Sequence, residues 1–121
     1  MASLQGPDFI TLQVRDLEVS RHFYGDVLGL TASPEVRPNA FAFSTQPISI
    51  AIRKASLDLD AVPRLGYGII IWFLADDAAA FHDQLKRAGV QTVQDLSDGP
   101  FGKMFTFQDP DGYQITVHDG G

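Results

Sequence analysis

The chain has 121 residues, 45% hydrophobic and 20% charged, with no cysteine and with 15 acidic against 9 basic side chains for a formal net charge of -6. A single domain of this size buries about two thirds of its unfolded surface, so it needs no disulfide or structural metal, and the missing thiols exclude cysteine nucleophiles and Cys-ligated zinc or iron-sulfur sites. The scattered bases leave no stripe for nucleic acid, and the acid surplus favours a neutral or cationic small-molecule partner over a polyanion.

Residues 1–7 lack the basic and apolar regions of a secretion signal, and the longest apolar run, Ile69 to Ala75, is too short to span a bilayer. The expectation is a cytoplasmic protein with no membrane partner. Phe9 to Val14 alternates and predicts a strand with Ile10, Leu12 and Val14 towards the core and Phe9, Thr11 and Gln13 on the other face. Asp16 then opens a helical stretch that ends at Leu28-Gly29-Leu30, with Leu17, Phe23, Tyr24, Val27 and Leu28 as its apolar stripe. Two short strands follow, Ala40 to Ser44 and Ile48 to Arg53, separated by the turn-prone Thr45-Gln46-Pro47. In the second of them Ile48, Ile50 and Ile52 are expected in the core, leaving Ser49, Ala51 and Arg53 opposite. Residues 54–66, with Pro63 and no period, read as a linker, in which Asp58 and Asp60 belong to a solvated loop.

The pattern then repeats. Asp16 and Asp76, His22 and His82, and Gly29 and Gly89 each lie 60 residues apart. Ile69 to Ala75 is apolar on both faces, as in a strand buried on both sides; with Ile71, Phe73 and Ala75 under the helix, Ile70, Trp72 and Leu74 point to a cup or a subunit interface. A helix capped by Asp76 carries Phe81, Leu85 and Ala88. Strands over Val90 to Val93, Lys103 to Gln108 and Gln114 to His118 complete the half, the last two joined by the hairpin turn Asp109-Pro110-Asp111-Gly112. Each half reads as a strand, a helix and three strands, so the fold class is α+β.

The phrases VRDLEVSRHFYGDVLGL (Val14 to Leu30) and FTFQDPDGYQITVHD (Phe105 to Asp119), in this order and at this separation, resemble the vicinal oxygen chelate superfamily, the glyoxalase/bleomycin-resistance/dioxygenase fold. The resemblance covers nearly the whole chain. It implies a single domain over 1–121 built from two βαβββ modules, module one over about 8–53 and module two over about 67–119, whose curved sheets cup a cavity, usually in a homodimer. It leaves function open, because the superfamily holds metal enzymes and metal-free drug-binding proteins.

In metal-dependent members, the resemblance places the ligands at positions that are Phe9, Ser49 (or Ala51 in a register slipped by two), Ile70 and Thr116 here. A phenyl ring, an alkyl chain and two hydroxyls do not make the oxygen and nitrogen shell of a divalent ion, so no metal and no other cofactor is expected. The composition agrees: Glu18 and Glu35 are the two glutamates, and neither lies in a predicted strand. His22 and His82 read as solvent-facing helix residues and His118 as a partly exposed strand end. No G-x-S-x-G elbow or phosphate-cradling loop occurs, and the paired aspartates read as caps and turns.

What remains is a cup lined by Phe9, Thr11, Gln13, Ser49, Arg53, Ile70, Trp72, Thr116 and His118, with Phe43 as a weaker candidate. Trp72, the single tryptophan, is either a core residue or a stacking surface for an aromatic ligand. The loop around Pro100, Phe101, Gly102 and Met104 is either a hairpin closing loop with Phe101 tucked into the core or a segment that brings a ring and a thioether near the mouth of the cup; in drug-binding relatives a similar Pro-aromatic-Gly segment borders the ligand. The expected function is metal-independent sequestration of a hydrophobic or aromatic small molecule, an antibiotic or toxic natural product, conferring resistance. The alternatives are a glyoxalase- or dioxygenase-like enzyme acting on a small oxygenated substrate, and a structural dimer with a vestigial cup.

Overall fold

The computed structural model describes residues 2–35 and 37–120. They form two compact units that divide between Ala61 and Val62. The elements of module one are β1 (Phe9–Val14), α1 (Leu17–His22), β2 (Ala40–Phe43) and β3 (Ser49–Lys54). Module two holds β4 (Ile71–Leu74), α2 (Ala78–Arg87), β5 (Thr92–Gly99), β6 (Gly102–Gln108) and β7 (Gln114–His118). Each is a small sheet carrying a helix, the α+β arrangement of paired modules.

Module one has a three-stranded sheet in the order β1-β3-β2, with β1 parallel and β2 antiparallel to β3. Strand parity holds along β1 and β3: Leu12, Val14, Ile50 and Ile52 are buried, while Phe9, Thr11 and Arg53 are exposed. Ala51 departs from that alternation and is buried on the opposite face, because its methyl group sits mid-strand between Thr11 and Ala42. The third strand expected after the helix is reduced to the bridge pairs Ala32–Phe43 and Arg37–Ala40. Ser33 N–H donates to Ala42 O (2.9 Å) and Ser44 N–H to Thr31 O (2.8 Å), but Pro34 and Pro38 offer no N–H to extend the ladder.

The first helix starts as expected, with Asp16 accepting from Glu18 N (3.1 Å) and Val19 N (3.2 Å). It does not stay α-helical to its end. From Phe23 to Val27 it widens into a π-helical turn, closed by Leu28 N–H to Phe23 O at 2.8 Å. The widening puts Phe23, Tyr24 and Leu28 together in the core, where the Tyr24 ring packs against Phe23 (5.4 Å) and Phe43 (6.2 Å).

The first part of the expected linker is ordered against module one. Leu59 is buried within a 3-10 turn (Leu59–Ala61), and Arg15 Nε reaches Asp60 Oδ1 at 2.7 Å. Asp60 is therefore an ion-pair partner rather than a purely solvated loop residue, and Lys54 belongs to β3.

Module two has a four-stranded sheet in the order β4-β7-β6-β5, β4 running parallel to β7. Phe105, Phe107, Ile115 and Val117 are buried beneath α2 with Leu85 and Ala78. The cap of α2 is Asp77, not Asp76: Asp77 Oδ1 accepts from Ala80 N (3.0 Å), and Asp119 Oδ2 takes Ala78 N (2.9 Å). The Asp109 turn forms as expected, with Asp109 Oδ1 accepting from the backbone N–H of Asp111, Gly112 and Tyr113, each at 2.9 Å. β5 is longer and later than its expected range, running to Gly99 with register shifts after Thr92 and Gln94.

Candidate functional site

β4 corrects one expectation about burial. The strand is apolar on both faces, yet it is an edge strand, and only one face is covered: Ile71 and Phe73 are half-buried, whereas Ile70, Trp72 and Leu74 are exposed. In module two, parity then builds one surface row by row. Trp72 stands beside Thr116, which stands beside Thr106; in the next row Leu74 neighbours His118, which neighbours Met104.

Three rings meet on this surface. The Trp72 and Phe101 centroids are 6.0 Å apart, Trp72 and His118 5.8 Å, and Phe101 and His118 6.1 Å, all edge-on. Trp72 keeps 45% and Phe101 48% of its surface exposed, so the cluster offers ring faces outward instead of closing into a core. Phe101 is held there by backbone. Gly120 N–H donates to Phe101 O (2.8 Å), and Lys103 N–H to Asp119 Oδ1 (3.0 Å), pinning the 100–103 loop to the end of β7. Asp98 beside Lys103, 2.9 Å from Nζ, raises the ammonium above its ordinary pKa.

His118 has a defined tautomer. Its Nδ1 faces the carbonyl oxygens of Gly120 (2.8 Å) and Phe101 (3.3 Å), which only accept, so Nδ1 carries the proton and Nε2 of the neutral ring is left as an acceptor. Met104 lies over Gly99, whose missing side chain makes room for the thioether. Thr116 sits beneath this surface, 1% exposed, its hydroxyl 2.7 Å from that of Thr106. Ile70 and Pro100 are exposed and Gly102 is half-buried.

The module-one candidates gather elsewhere. Phe9, Thr11, Ala51 and Arg53 line a cleft of about 460 Å³ together with Ala40, Ala42, Glu35 and the Arg37-Pro38-Asn39 segment. Ser49 is half-buried opposite Phe9. Gln13 turns away to bond Ser56, its Oε1 accepting from Ser56 N (2.9 Å) and Oγ (3.2 Å). Phe43 is the candidate the structure takes out of the cup: it pairs with Ile50 on the core face, is 1% exposed and packs on Tyr24. The Pro38-Asn39 wall of the cleft lies outside the residues expected to line a cup; Asn39 adopts φ 60 and turns the chain into β2.

The histidines divide as well. His22 is solvent-facing, as expected, and pairs with Asp26 at 2.9 Å. His82 is not: its side chain is 15% exposed, its ring stands edge-on to Phe105 at 5.0 Å, and Nε2 lies 3.2 Å from Asp95.

The positions that the resemblance assigns to a metal do not fit one. Phe9 offers no donor atom, Ile70 is an exposed alkyl chain, and the Thr116 hydroxyl is buried against Thr106. Among the described residues no group of three or more His, Cys, Asp or Glu side chains could hold a metal ion, and no helix is long and apolar enough to cross a membrane.

Residues 6–117 match the family model described as "Glyoxalase/Bleomycin resistance protein/Dioxygenase superfamily". Solved structures share the fold. A putative glyoxalase family protein from Bacillus anthracis is 19% identical with a TM-score of 0.79, the match covering 100% of this chain and 99% of that one. TnmS3, an antibiotic binding protein from Streptomyces sp. CB03234, is 18% identical with a TM-score of 0.75, over 100% of both chains. A glyoxalase-related enzyme from Fulvimarina pelagi is 22% identical with a TM-score of 0.75, over 97% of this chain and 89% of the other. No curated protein sequence matches the chain.

Proposed function

The chain belongs to the Glyoxalase/Bleomycin resistance protein/Dioxygenase superfamily, and from that premise we propose that it is a metal-independent binding protein that sequesters a hydrophobic or aromatic small molecule, an antibiotic or toxic natural product, and so confers resistance. One observation carries the reading: the outward-facing Trp72, Phe101 and His118 rings on one sheet surface. Partly exposed rings held by packing and by backbone hydrogen bonds give a ligand stacking area at little cost in ordering. Met104 and Ile70 extend the apolar area, and His118 Nε2 accepts one hydrogen bond from a ligand hydroxyl or amine. The structural likeness to an antibiotic binding protein of full length is consistent with this use of the fold.

A neutral or cationic ligand suits the chain's charge of -6. We place the protein in the cytoplasm as a homodimer, in which the exposed side chains of Ile69, just before β4, and Leu74, at its end, would be covered by the second copy.

The test is a panel of aromatic natural products screened for a concentration-dependent rise in Tm and for quenching of Trp72, which is the single tryptophan. The expected result is a saturable ligand whose affinity falls at least about tenfold in Trp72→Ala, read by calorimetry. An unchanged affinity in that variant, or a stoichiometric divalent metal in protein purified without chelator, would overturn the reading.

A further inference from the structure

The module-one cleft has a chemistry different from the ring surface of module two. Its floor is made of Ala40, Ala42 and Ala51, three methyl groups on adjacent strands that leave a flat shelf. Phe9, 55% exposed, stands at one edge. The lining carries two guanidinium groups, Arg37 and Arg53, against one carboxylate, Glu35. Glu35 is taken by Arg37 at 2.9 Å. The Arg53 guanidinium has no hydrogen bond or ion pair with any described residue, although it sits in a chain with six more acids than bases. The Thr11 hydroxyl is likewise uncommitted.

We propose that this cleft is a binding site for the acid group of a flat aromatic carboxylate, with Arg53 pairing with the carboxylate, Thr11 donating a hydrogen bond to it, and the alanine shelf and Phe9 taking the ring. The volume, about 460 Å³, is within the range that houses a small-molecule ligand, roughly 300–1,000 Å³. Arginine suits the task because its planar fork matches a carboxylate in a two-point contact. The chain's overall negative charge opposes polyanions at long range, but a single contact pair lies well inside the screening length, about 8 Å at physiological salt. The inference goes beyond the proposed function: it names an acid ligand for a cleft lined by module-one residues alone, none of them on the Trp72 surface, so the two stand or fall separately.

The probe is 2-naphthoate, compared with its uncharged amide, on the full chain, with backbone amide NMR shifts as the readout. Saturable shifts at Thr11, Ala42 and Ala51 are expected, with the acid binding about fivefold tighter than the amide, a modest preference because the pair is open to water. Arg53→Gln should reduce that preference below twofold with Tm unchanged, and Arg53→Lys should retain part of it. Glu35→Gln, which removes the competing carboxylate, should tighten the acid. Trp72→Ala should leave all of this unaltered. Equal binding of acid and amide, an undiminished preference in Arg53→Gln, or shifts confined to the Trp72 surface would each overturn the proposal; the last of these would leave the proposed function standing.

Discussion

The hydroxyls of Thr106 and Thr116 lie 2.7 Å apart across the β6–β7 pair, and both side chains are buried. Each satisfies the other in a place where water does not. Replacing one by valine keeps the shape but strands the partner hydroxyl, at a cost of about 1–3 kcal/mol, whereas replacing both removes the need for either. Thr116→Val and Thr106→Val should each lower Tm, and the double variant should recover most of the loss. A double-mutant cycle in urea measures this; additive losses would mean that each hydroxyl has another partner.

Asp109 holds the β6–β7 hairpin through one oxygen. With Oδ1 accepting three backbone N–H groups at 2.9 Å, Asp109→Ala leaves donors unpaired at a part-buried turn. The expected loss is about 3 kcal/mol, since bonds to a charged acceptor are worth more than neutral ones but do not add in full. Asp109→Asn keeps an acceptor and should cost less than half as much. Urea denaturation of the two variants checks the ratio.

His82 separates packing from charge. Its partner Asp95 is 84% exposed, so the ion pair is worth little, while the ring is 15% exposed and lies edge-on to Phe105. Asp95→Asn should change stability by less than about 0.5 kcal/mol, and His82→Ala should cost about 1–2 kcal/mol through lost ring packing. If Asp95→Asn proves the costlier of the two in chemical denaturation, the electrostatic contact dominates instead.

How far these features can be read from the sequence depends on how local their cause is. Alternation in Phe9–Val14 and Ser49–Lys54 assigns faces correctly because parity is a property of a single strand. Trp72 and His118 come together because β4 and β7 pair in parallel, and Leu74 opposite His118 is a register no local pattern states. The π-helical turn at Phe23 is hidden because it barely alters the apolar period. Asp76 and Asp77 are chemically equal as caps, and only Asp119, which occupies Ala78 N from 41 residues away, accompanies the choice of Asp77. His82 shares a helix surface with polar residues, so its burial against the Phe105 ring is set by how α2 packs on β6 and not by the helix pattern. The module-one cleft is half legible: Phe9, Thr11 and Arg53 follow from parity, but its wall is a turn that depends on Asn39 taking a left-handed conformation.

Two glycines with similar backbone angles should respond differently to alanine. Gly102 has φ +84 and Gly112 φ +104, so both pay for a side chain in the left-handed region, about 1 kcal/mol. At Gly112 a Cβ meets nothing within 4 Å, and Gly112→Ala should cost little beyond that strain. At Gly102 the Cβ would fall 2.5 Å from Asp119 Oδ1 and 2.6 Å from Gly120 N, where the neighbours are backbone and a carboxylate already bonded to Lys103 N and Ala78 N. Relieving that clash must move the 100–103 loop or the end of β7, and the same segments hold Phe101 and the carbonyl oxygens on His118 Nδ1. Gly102→Ala should therefore lower Tm more than Gly112→Ala and also shift the fluorescence of Trp72, which packs on both rings. A Gly102→Ala protein with the parent's Trp72 emission would show that the loop can yield without disturbing the ring cluster.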